Sequence, residues 1–445
     1  MSPKSPPTPD PVPDPNQGGH VAYPREPGAP RLTRPALLDT GMSPLLGIVI
    51  TVFLDILSFG IFIPDLQLRV RGFGIEGWQL GAVQGLYSFA ALLCAPILGR
   101  LSDAGSRRRV LLVTSSVATI SYMVYGHGTI LGLIIVSRVL SGIASASMGV
   151  GFAYMADITT VKDRAKSMGL LGAALGLGFV FGPVLGTYLL WVGKGDPLLL
   201  GSIGAVLSLI NFLYILLWLP DPIPHELSDA ERQGPWRTLF AAMRNPSLRI
   251  LFIISFTVQF GFTNLETTFF QLLNSPRSVF HILNVEQAKI MGGEVLGVIG
   301  ILGILFQGGL VRVLMRRMKE VVILRFSYLC ATPALALVPY FPLWWPGIIV
   351  MFFLSLGTSL AQPCMSSLIS QEAPVELQGG IFGVTTALAS LARLVSPLVS
   401  NTLFVKDPTY PYLFGAAVML LPMIGVWRVR QPTGAIVHDK TPVHA

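Results

Sequence analysis

Five charged side chains interrupt stretches of the sequence that are otherwise apolar: Asp55, Arg138, Glu266, Glu294 and Arg393. An ionised side chain at a bilayer centre costs at least about 2.5–3.5 kcal/mol on insertion scales, so a partner, a wet cavity or a function has to offset that cost. A buried carboxyl group can exchange a proton, because burial favours its neutral form whereas a nearby cation or water favours the carboxylate. These residue types predict the handling of protons or of a charged solute.

The composition is that of a protein that crosses a membrane several times. Of the 445 residues, 52% are hydrophobic and only 12% are charged, and the mean hydropathy is +0.65, well above that of an average soluble domain. Cys94, Cys330 and Cys364 lie far apart, without the spacing of disulfides or zinc sites. The sequence contains no P-loop, no HExxH zinc motif and no GxSxG nucleophile motif. We therefore expect neither an enzyme nor an ATP-driven pump, and no metal or cofactor.

Twelve apolar segments are long enough to cross a bilayer as helices. A hydrocarbon core about 30 Å thick requires roughly 20 helical residues, because lipid offers no hydrogen-bond partner to unpaired backbone groups. We therefore predict an all-α integral membrane protein with twelve transmembrane helices. The segments are 44–64, 79–98, 110–126, 129–156, 167–192, 198–219, 248–273, 287–311, 321–341, 345–370, 380–404 and 409–427.

The longest polar interruption, residues 220–247, divides these segments into six and six. An internal repeat supports the division, since Gly99 and Arg107 of the first half align with Gly308 and Arg316 of the second at one offset. We expect a disordered Pro-rich cytoplasmic tail at 1–43, a six-helix bundle at 44–219, a cytoplasmic linker at 220–247, a second bundle at 248–428 and a cytoplasmic tail at 429–445.

Basic residues gather in the loops on one side of the predicted bundles. Such residues mark the cytoplasmic side, so we expect both termini in the cytoplasm and the protein in a plasma (inner) membrane. The net charge of +8 is then a signal of topology, and a nucleic-acid partner is not expected. The expected partners are lipid, protons and a small-molecule substrate, and the expected state is a monomer. The basic loop residues are Arg100, Arg107, Arg108, Arg109, Lys162, Arg164, Lys166, Arg312, Arg316, Arg317 and Lys319.

Several stretches resemble motifs of the major facilitator superfamily. GRLSDAGSRRR (99–109) is similar to its signature between helices two and three, and SRVLSGIASASMG (137–149) to the fourth-helix motif of its proton-coupled members. GAALGLGFVFGPVLG (172–186) is similar to the fifth-helix motif of its drug:proton antiporters, and VFLDILSFGIFIPDL (52–66) to the first helix of tetracycline efflux proteins. The resemblance implies the twelve-helix drug:proton antiporter subfamily and a fold of two pseudo-symmetric six-helix bundles.

The resemblance assigns roles to the intramembrane charges. Arg138 stands at a position linked to proton transfer, Asp55 matches an acid of the first helix, and Glu266 is the repeat counterpart of Asp55. We expect these three residues to couple protons, with an Asp55–Arg138 ion pair that protonation of Asp55 releases. The alternative is a permanent pair that only holds two helices together. Glu294 and Arg393 are expected to form a second, structural pair.

The charged loop after the second helix resembles a gating loop. Its matching residues are Gly99, Asp103, Arg107 and Arg108, and the family's aspartate docks against the start of helix eleven, here near 379–380.

The fifth helix is rich in small residues that let helices approach closely, and the resemblance assigns them to conformational exchange, with plain helix packing as the alternative. They are Gly178, Gly182, Pro183 and Gly186. By residue type alone, Gln259, Asn264 and Gln362 are the candidates for contact with substrate in a central cavity.

These observations favour a secondary transporter that exports a small amphipathic organic compound in exchange for protons by alternating access. A proton symporter or a uniporter for an organic anion or nutrient would use the same fold, and a transport-inactive scaffold or receptor is the remote alternative. Segments 110–126 and 321–341 contain no acid, although tetracycline exporters have one in each corresponding helix. Metal-chelated tetracycline is therefore not the expected substrate.

Overall fold

The computed structural model describes residues 32–34, 43–159, 161–222, 243–342, 345–373 and 378–428. Most of the predicted tail at 1–43, most of the linker at 220–247 and the tail at 429–445 lie outside these residues.

Helices make up most of the described chain. They are α1 Pro44–Gly60, α2 Ile63–Arg71, α3 Gly77–Ala104, α4 Arg107–Gly126, α5 Leu131–Ala144, α6 Ser147–Ile158, α7 Val161–Val192, α8 Pro197–Trp218, α9 Pro246–Leu273, α10 Val285–Leu305, α11 Val311–Arg317, α12 Glu320–Leu337, α13 Trp345–Glu372, α14 Gln378–Lys406 and α15 Tyr410–Arg428. A π-helical turn, Phe306–Leu310, joins α10 to α11, and a 3-10 turn, Val338–Tyr340, extends α12.

Each predicted membrane segment falls on a helix or on two helices that follow one another directly. In the described part of the chain, ten helical stretches are long and apolar enough to span a membrane, with window hydropathies of 1.4 or more. Two further helices complete the predicted set: α4, which begins with three arginines, and α15, whose apolar stretch is Tyr410–Leu420. The all-α membrane fold is confirmed, and the count of twelve spans rests on these two helices.

The helices α1 to α8 pack around two clusters of buried side chains, and α9 to α15 pack around a third. Tyr122 and Tyr154 are buried in the first two clusters, and Phe252 and Phe270 in the third. Hydroxyl groups inside the helices donate to carbonyls of the preceding turn, as Thr114 does. Such bonds let polar side chains lie in a membrane without unpaired donors.

A short antiparallel strand pair lies beside the first bundle. Leu32–Arg34 (β1) pairs with Asp221–Pro222 (β2), so these three residues of the predicted disordered tail are extended strand. Asp221 accepts a bond from the backbone N–H of Arg108 at 3.4 Å, and the Tyr154 hydroxyl donates to the carbonyl of Pro220 at 2.7 Å. The end of the bundle with the arginine loop, called the basic end below, is thereby tied to the chain that leaves α8.

The small residues of α7 pack against α1 of the same bundle. A side chain on Gly182 would meet the backbone of Gly60, and one on Gly186 would overlap the carbonyl of Ile61. Gly178 contacts Ile56 in the same way. These glycines therefore allow two helices of one bundle to touch at backbone distance, and their predicted role in conformational exchange stays a prediction.

We expect Gly186→Val to lower the free energy of unfolding by about 1–3 kcal/mol, since overpacking a tight contact forces the helices apart. Thermal unfolding of the detergent-purified protein measures the change. Gly172→Val is the matched control, because the same helix has no neighbour within 4 Å of a side chain at that position. Equal losses of stability in the two variants would contradict the assignment.

Candidate functional site

An open pocket lies where α1, α3, α4, α5 and α6 converge; it contains about 430 Å³ of empty space, part of which is open to solvent. Its wall is largely apolar and aromatic, with Phe59, Tyr87 and Tyr122, and its polar groups are Asp55 and serine hydroxyls. An apolar wall with a few polar groups is typical of small-molecule sites. The serines are Ser141, Ser145 and Ser147.

Asp55 reaches this cavity from the middle of α1, and its described partners are neutral. The Asn211 side-chain amide on α8 donates to Oδ1 of Asp55 at 2.7 Å, and the Ser147 hydroxyl forms a second hydrogen bond. Among the described residues, no salt bridge joins Asp55 to a cation. The expected Asp55–Arg138 ion pair is therefore not formed in this conformation, because Asp55 points from α1 towards α8 rather than towards α5.

Arg138 lies on α5 with a side chain that is 2% exposed. Its guanidinium carbon lies 5.6 Å from the centre of the Tyr125 ring, and its Nε and Nη2 atoms have no hydrogen-bond partner. The charge of Arg138 also acts on Tyr87 and Tyr122, which line the cavity. A buried guanidinium without an acceptor is costly, because removing it from water is not compensated.

The charges of the second bundle are arranged differently from the expected Glu294–Arg393 pair. Arg393 on α14 acts electrostatically on Glu266 of α9, and both charges act on Tyr87. The Glu294 side chain is exposed, and no ion pair joins it to Arg393 in the described structure. The expected Glu294–Arg393 pair is therefore not formed in this conformation, and the charge that acts on Glu266 of α9 is that of Arg393.

The gating-loop residues form contacts within the first bundle. Arg107 is 4% exposed; it pairs with Asp103, and its Nε donates to Asp157 at 2.8 Å. Arg108 donates through Nε to the carbonyl of Ile215 at 3.2 Å. In this conformation Asp103 is thus held by the arginine of its own loop, and its docking against α14 stays a prediction.

The three residues expected to contact substrate do not line the cavity. Asn264 is fully buried, with its amide against Gly415 of α15, and its contact with substrate stays a prediction. Gln259 donates to the hydroxyl of Thr263 at 3.2 Å on its own helix. Gln362 has an exposed side chain, and its contact with substrate stays a prediction.

The sequence reasoning missed a buried ion pair between the bundles. Lys289 of α10 reaches Asp65 of α2 with its Nζ 2.5 Å from Oδ1, and the two side chains are 9% and 1% exposed. The Tyr125 hydroxyl donates to Oδ2 of Asp65 at 2.7 Å, and Arg69 lies 3.6 Å away. Both residues lie near predicted helix ends, where charges are common. The sequence did contain one signal for this pair, because Lys289 lies just inside the start of a predicted membrane segment.

Polar side chains extend this contact along the interface. Gln84 of α3 accepts from the Asn401 amide of α14 at 2.9 Å, and Asn401 in turn accepts from Gln271 of α9 at 2.7 Å. The Gln67 amide donates to the backbone carbonyl of Glu266. These bonds hold the bundles together at the end opposite the basic loops, called the closed end below.

Close helix contacts accompany the polar ones. Gly81 of α3 lies against the carbonyl of Pro397. On the other side of the molecule, Thr187 of α7 fills the space beside Gly293 of α10, and Val180 packs against Gly300. The cross-bundle face of α7 is therefore formed by larger side chains than the glycines that contact α1.

The interface opens towards the basic end. Among the described residues, Gly176 of α7 has its nearest neighbour, the Gln307 side chain, at 3.9 Å, and positions 172 and 169 have none within 4 Å. Gly99 near the end of α3 likewise has no neighbour within that distance. The bundles thus meet at the closed end and separate at the basic end.

Comparison with known proteins agrees with this architecture. The sequence profile of the Major Facilitator Superfamily matches residues 48–397. The chain belongs to this superfamily. It is 24% identical to multidrug resistance protein 2 of Bacillus subtilis over 396 residues, covering 87% of this chain and 96% of the relative. It is 29% identical to the class C tetracycline resistance protein of Escherichia coli over 403 residues, covering 86% and 97%.

Solved structures of the superfamily share the fold. The human organic anion transporter MFSD10 matches with a TM-score of 0.65 and 23% identity, covering 86% of this chain and 98% of its own. A nucleoside transporter matches with a TM-score of 0.69 and 16% identity, covering 87% and 100%. This major facilitator protein is accordingly a secondary transporter with multiple membrane-spanning helices, and not an enzyme.

In a major facilitator protein the two bundles rock about a central site, so the geometry above is one of its two access states. The Asp65–Lys289 pair bridges the bundles and has to break before the closed end opens.

We expect Lys289→Met to shift the population towards conformations in which the bundles are separated at the closed end. The variant lacks the cross-bundle ion pair, while Tyr125 and Arg69 still hold Asp65. Spin labels at Trp78→Cys and Leu283→Cys, exposed positions on the two bundles at that end, report the change as a longer distance in a background without native cysteines. The matched control is Arg71→Met, which removes an exposed pair with Glu76 inside one bundle. An unchanged distance in Lys289→Met would contradict the gating role.

Proposed function

We propose that the protein exports a small amphipathic organic compound across the plasma membrane in exchange for protons. The observation that carries the proposal is Asp55, an acid within a largely apolar cavity whose described partners, Asn211 and Ser147, are neutral. A carboxyl group with neutral partners can gain or lose a proton without first breaking an ion pair. The names of the multidrug and tetracycline resistance relatives favour export.

The described conformation corresponds in this proposal to the state that receives substrate. The basic end faces the cytoplasm, because arginines and lysines gather in cytoplasmic loops, and both termini lie on that side. A compound enters from the cytoplasm and contacts the aromatic wall formed by Phe59, Tyr87 and Tyr122. Asp55 releases its proton to the cytoplasm in this state and takes up another when the closed end opens outwards. The protein acts as a monomer.

Glu266 and Arg393 form the corresponding charged contact in the second bundle. Because both act on Tyr87 at the cavity wall, the field at the cavity changes when the bundles move apart. We assign Glu266 an auxiliary part in proton coupling on this ground. Chelated tetracycline is not the proposed substrate, since α4 and the membrane portion of α12 contain no acid.

Asp55→Asn is expected to abolish substrate movement driven by a pH gradient in proteoliposomes, while substrate exchange without a gradient persists, because the amide cannot carry the proton. Glu76→Gln, which changes an exposed acid on the same bundle, should leave transport unchanged. Gradient-driven transport at the wild-type rate in Asp55→Asn would overturn the proton-site assignment. Substrate moving in the same direction as protons would instead identify a symporter.

Asp103→Asn is expected to slow turnover while substrate binding persists, because the amide forms a weaker bond both with Arg107 here and with the start of α14 in the opposite state. Initial rates and equilibrium binding on the same preparation separate the two effects. Loss of binding in this variant would show that Asp103 supports the fold of the site rather than the movement of the bundles.

A further inference from the structure

We propose that the substrate is an organic anion whose carboxylate or sulfonate group binds Arg138 while its apolar body occupies the aromatic cavity. The inference rests on the proposed function, since it names the substrate class of the same cavity. Its observation is the buried guanidinium, which has Nε and Nη2 atoms without acceptors although only 2% of the side chain is exposed.

The acids in the helices around Arg138 are already engaged. Asp55 accepts from Asn211 and Ser147, and Asp65 is held by Lys289 and Tyr125. A ring of Tyr125 faces Arg138 at 5.6 Å, but an aromatic face does not accept the in-plane hydrogen bonds of a guanidinium. Among the described residues Arg138 therefore lacks the acceptor that a buried arginine requires.

Glu266 is directed to another cation. The charge that acts on its carboxyl is that of Arg393, and Arg138 is absent from the groups that act on it. The acid of the cavity itself, Asp55, is bound by Asn211 and Ser147, and no salt bridge joins it to Arg138 in the described structure. Arg138 is therefore a buried cation without an ion-pair partner among the described residues.

The position of Arg138 suits the head group of a bound molecule. It lies one helical turn before Ser141 on α5, and Ser141 and Ser145 both line the cavity. Since α5 runs from the closed end towards the basic end, Arg138 lies on the closed-end side of these serines, and its charge acts on the cavity residues Tyr87 and Tyr122. An anion entering from the open basic end would place its apolar body among Phe59, Tyr87 and Tyr122 and its charged group towards Arg138. The planar guanidinium donates two parallel bonds to carboxylate-like groups.

The charge of the substrate sets the electrical behaviour of the transporter. An anion that leaves while a proton enters moves net positive charge inwards twice, so an inside-negative potential drives both movements. A cation exchanged for one proton moves no net charge. The proposal thus predicts voltage dependence that a one-to-one cation exchanger lacks.

Binding to the purified protein tests the assignment with three probes of one shape: naphthalenesulfonate, neutral naphthalenesulfonamide and the cation naphthyltrimethylammonium. We expect calorimetry to rank the sulfonate first in the wild type. Arg138→Gln should weaken the sulfonate at least about tenfold, as expected for loss of a charge-assisted hydrogen bond, and leave the sulfonamide unchanged. Arg138→Lys should restore part of the loss. The control Arg325→Gln removes an arginine that contacts Trp427 outside the cavity and should change nothing.

Three outcomes would overturn the inference. They are stronger binding of the cation than of the sulfonate, equal weakening of sulfonate and sulfonamide by Arg138→Gln, and no sulfonate binding to the wild type at millimolar concentration. The wild-type ranking does not depend on any variant, so it decides even if Arg138→Gln fails to fold.

Transport measurements distinguish a failure of this inference from a failure of the proposed function. In proteoliposomes loaded with naphthalenesulfonate, efflux should accelerate with an acidic exterior and further with an inside-negative potassium diffusion potential. Proton-driven efflux of the cation alone would leave the exporter proposal intact and refute the anion site. Arg138-dependent binding of the sulfonate without any effect of the pH gradient would do the reverse.

Discussion

A charge removed from water has to find a partner, and the described arrangement of this protein follows from how its buried charges meet that requirement. Asp65 is satisfied by three groups, one of them on the other bundle. Asp55 is satisfied by neutral donors in the cavity. Arg138 is not satisfied by the described protein atoms. We assign these three arrangements to holding a gate, exchanging a proton and binding a ligand, in that order.

The two bundles are in close contact at one end of their interface and are separated at the other. Buried hydrogen bonds such as that from Asn401 to Gln84 and close backbone approach at Gly81 fix the closed end. Towards the basic end the same helices lose their neighbours, as at position 172. Within the first bundle, by contrast, backbone contact between α7 and α1 at Gly182 keeps the two helices together. A rocking mechanism requires bundles that stay rigid and an interface between them that can open.

Much of the architecture could be predicted from the sequence, because an apolar run of about 20 residues has few alternatives to a spanning helix. All predicted segments fall on helices. The direction in which each side chain points was harder to predict. Each residue turns the helix by about 100°, and the position of a residue along the helix does not give its direction around the axis. For this reason neither the expected Asp55–Arg138 pair nor the expected Glu294–Arg393 pair is formed among the described residues.

The phenol ring of Tyr125 joins two parts of the molecule that have been treated separately. Its hydroxyl donates to Asp65 of the cross-bundle pair, while Arg69 stacks over the ring at 4.6 Å and Arg138 lies 5.6 Å from its centre. A single rigid aromatic group thus lies beside both the Asp65–Lys289 ion pair and the guanidinium of Arg138. Any rearrangement that draws Arg138 towards an incoming molecule also changes the surroundings of the group that holds Asp65. Tyr125 therefore connects the proposed ligand site to the ion pair between the bundles through its own contacts.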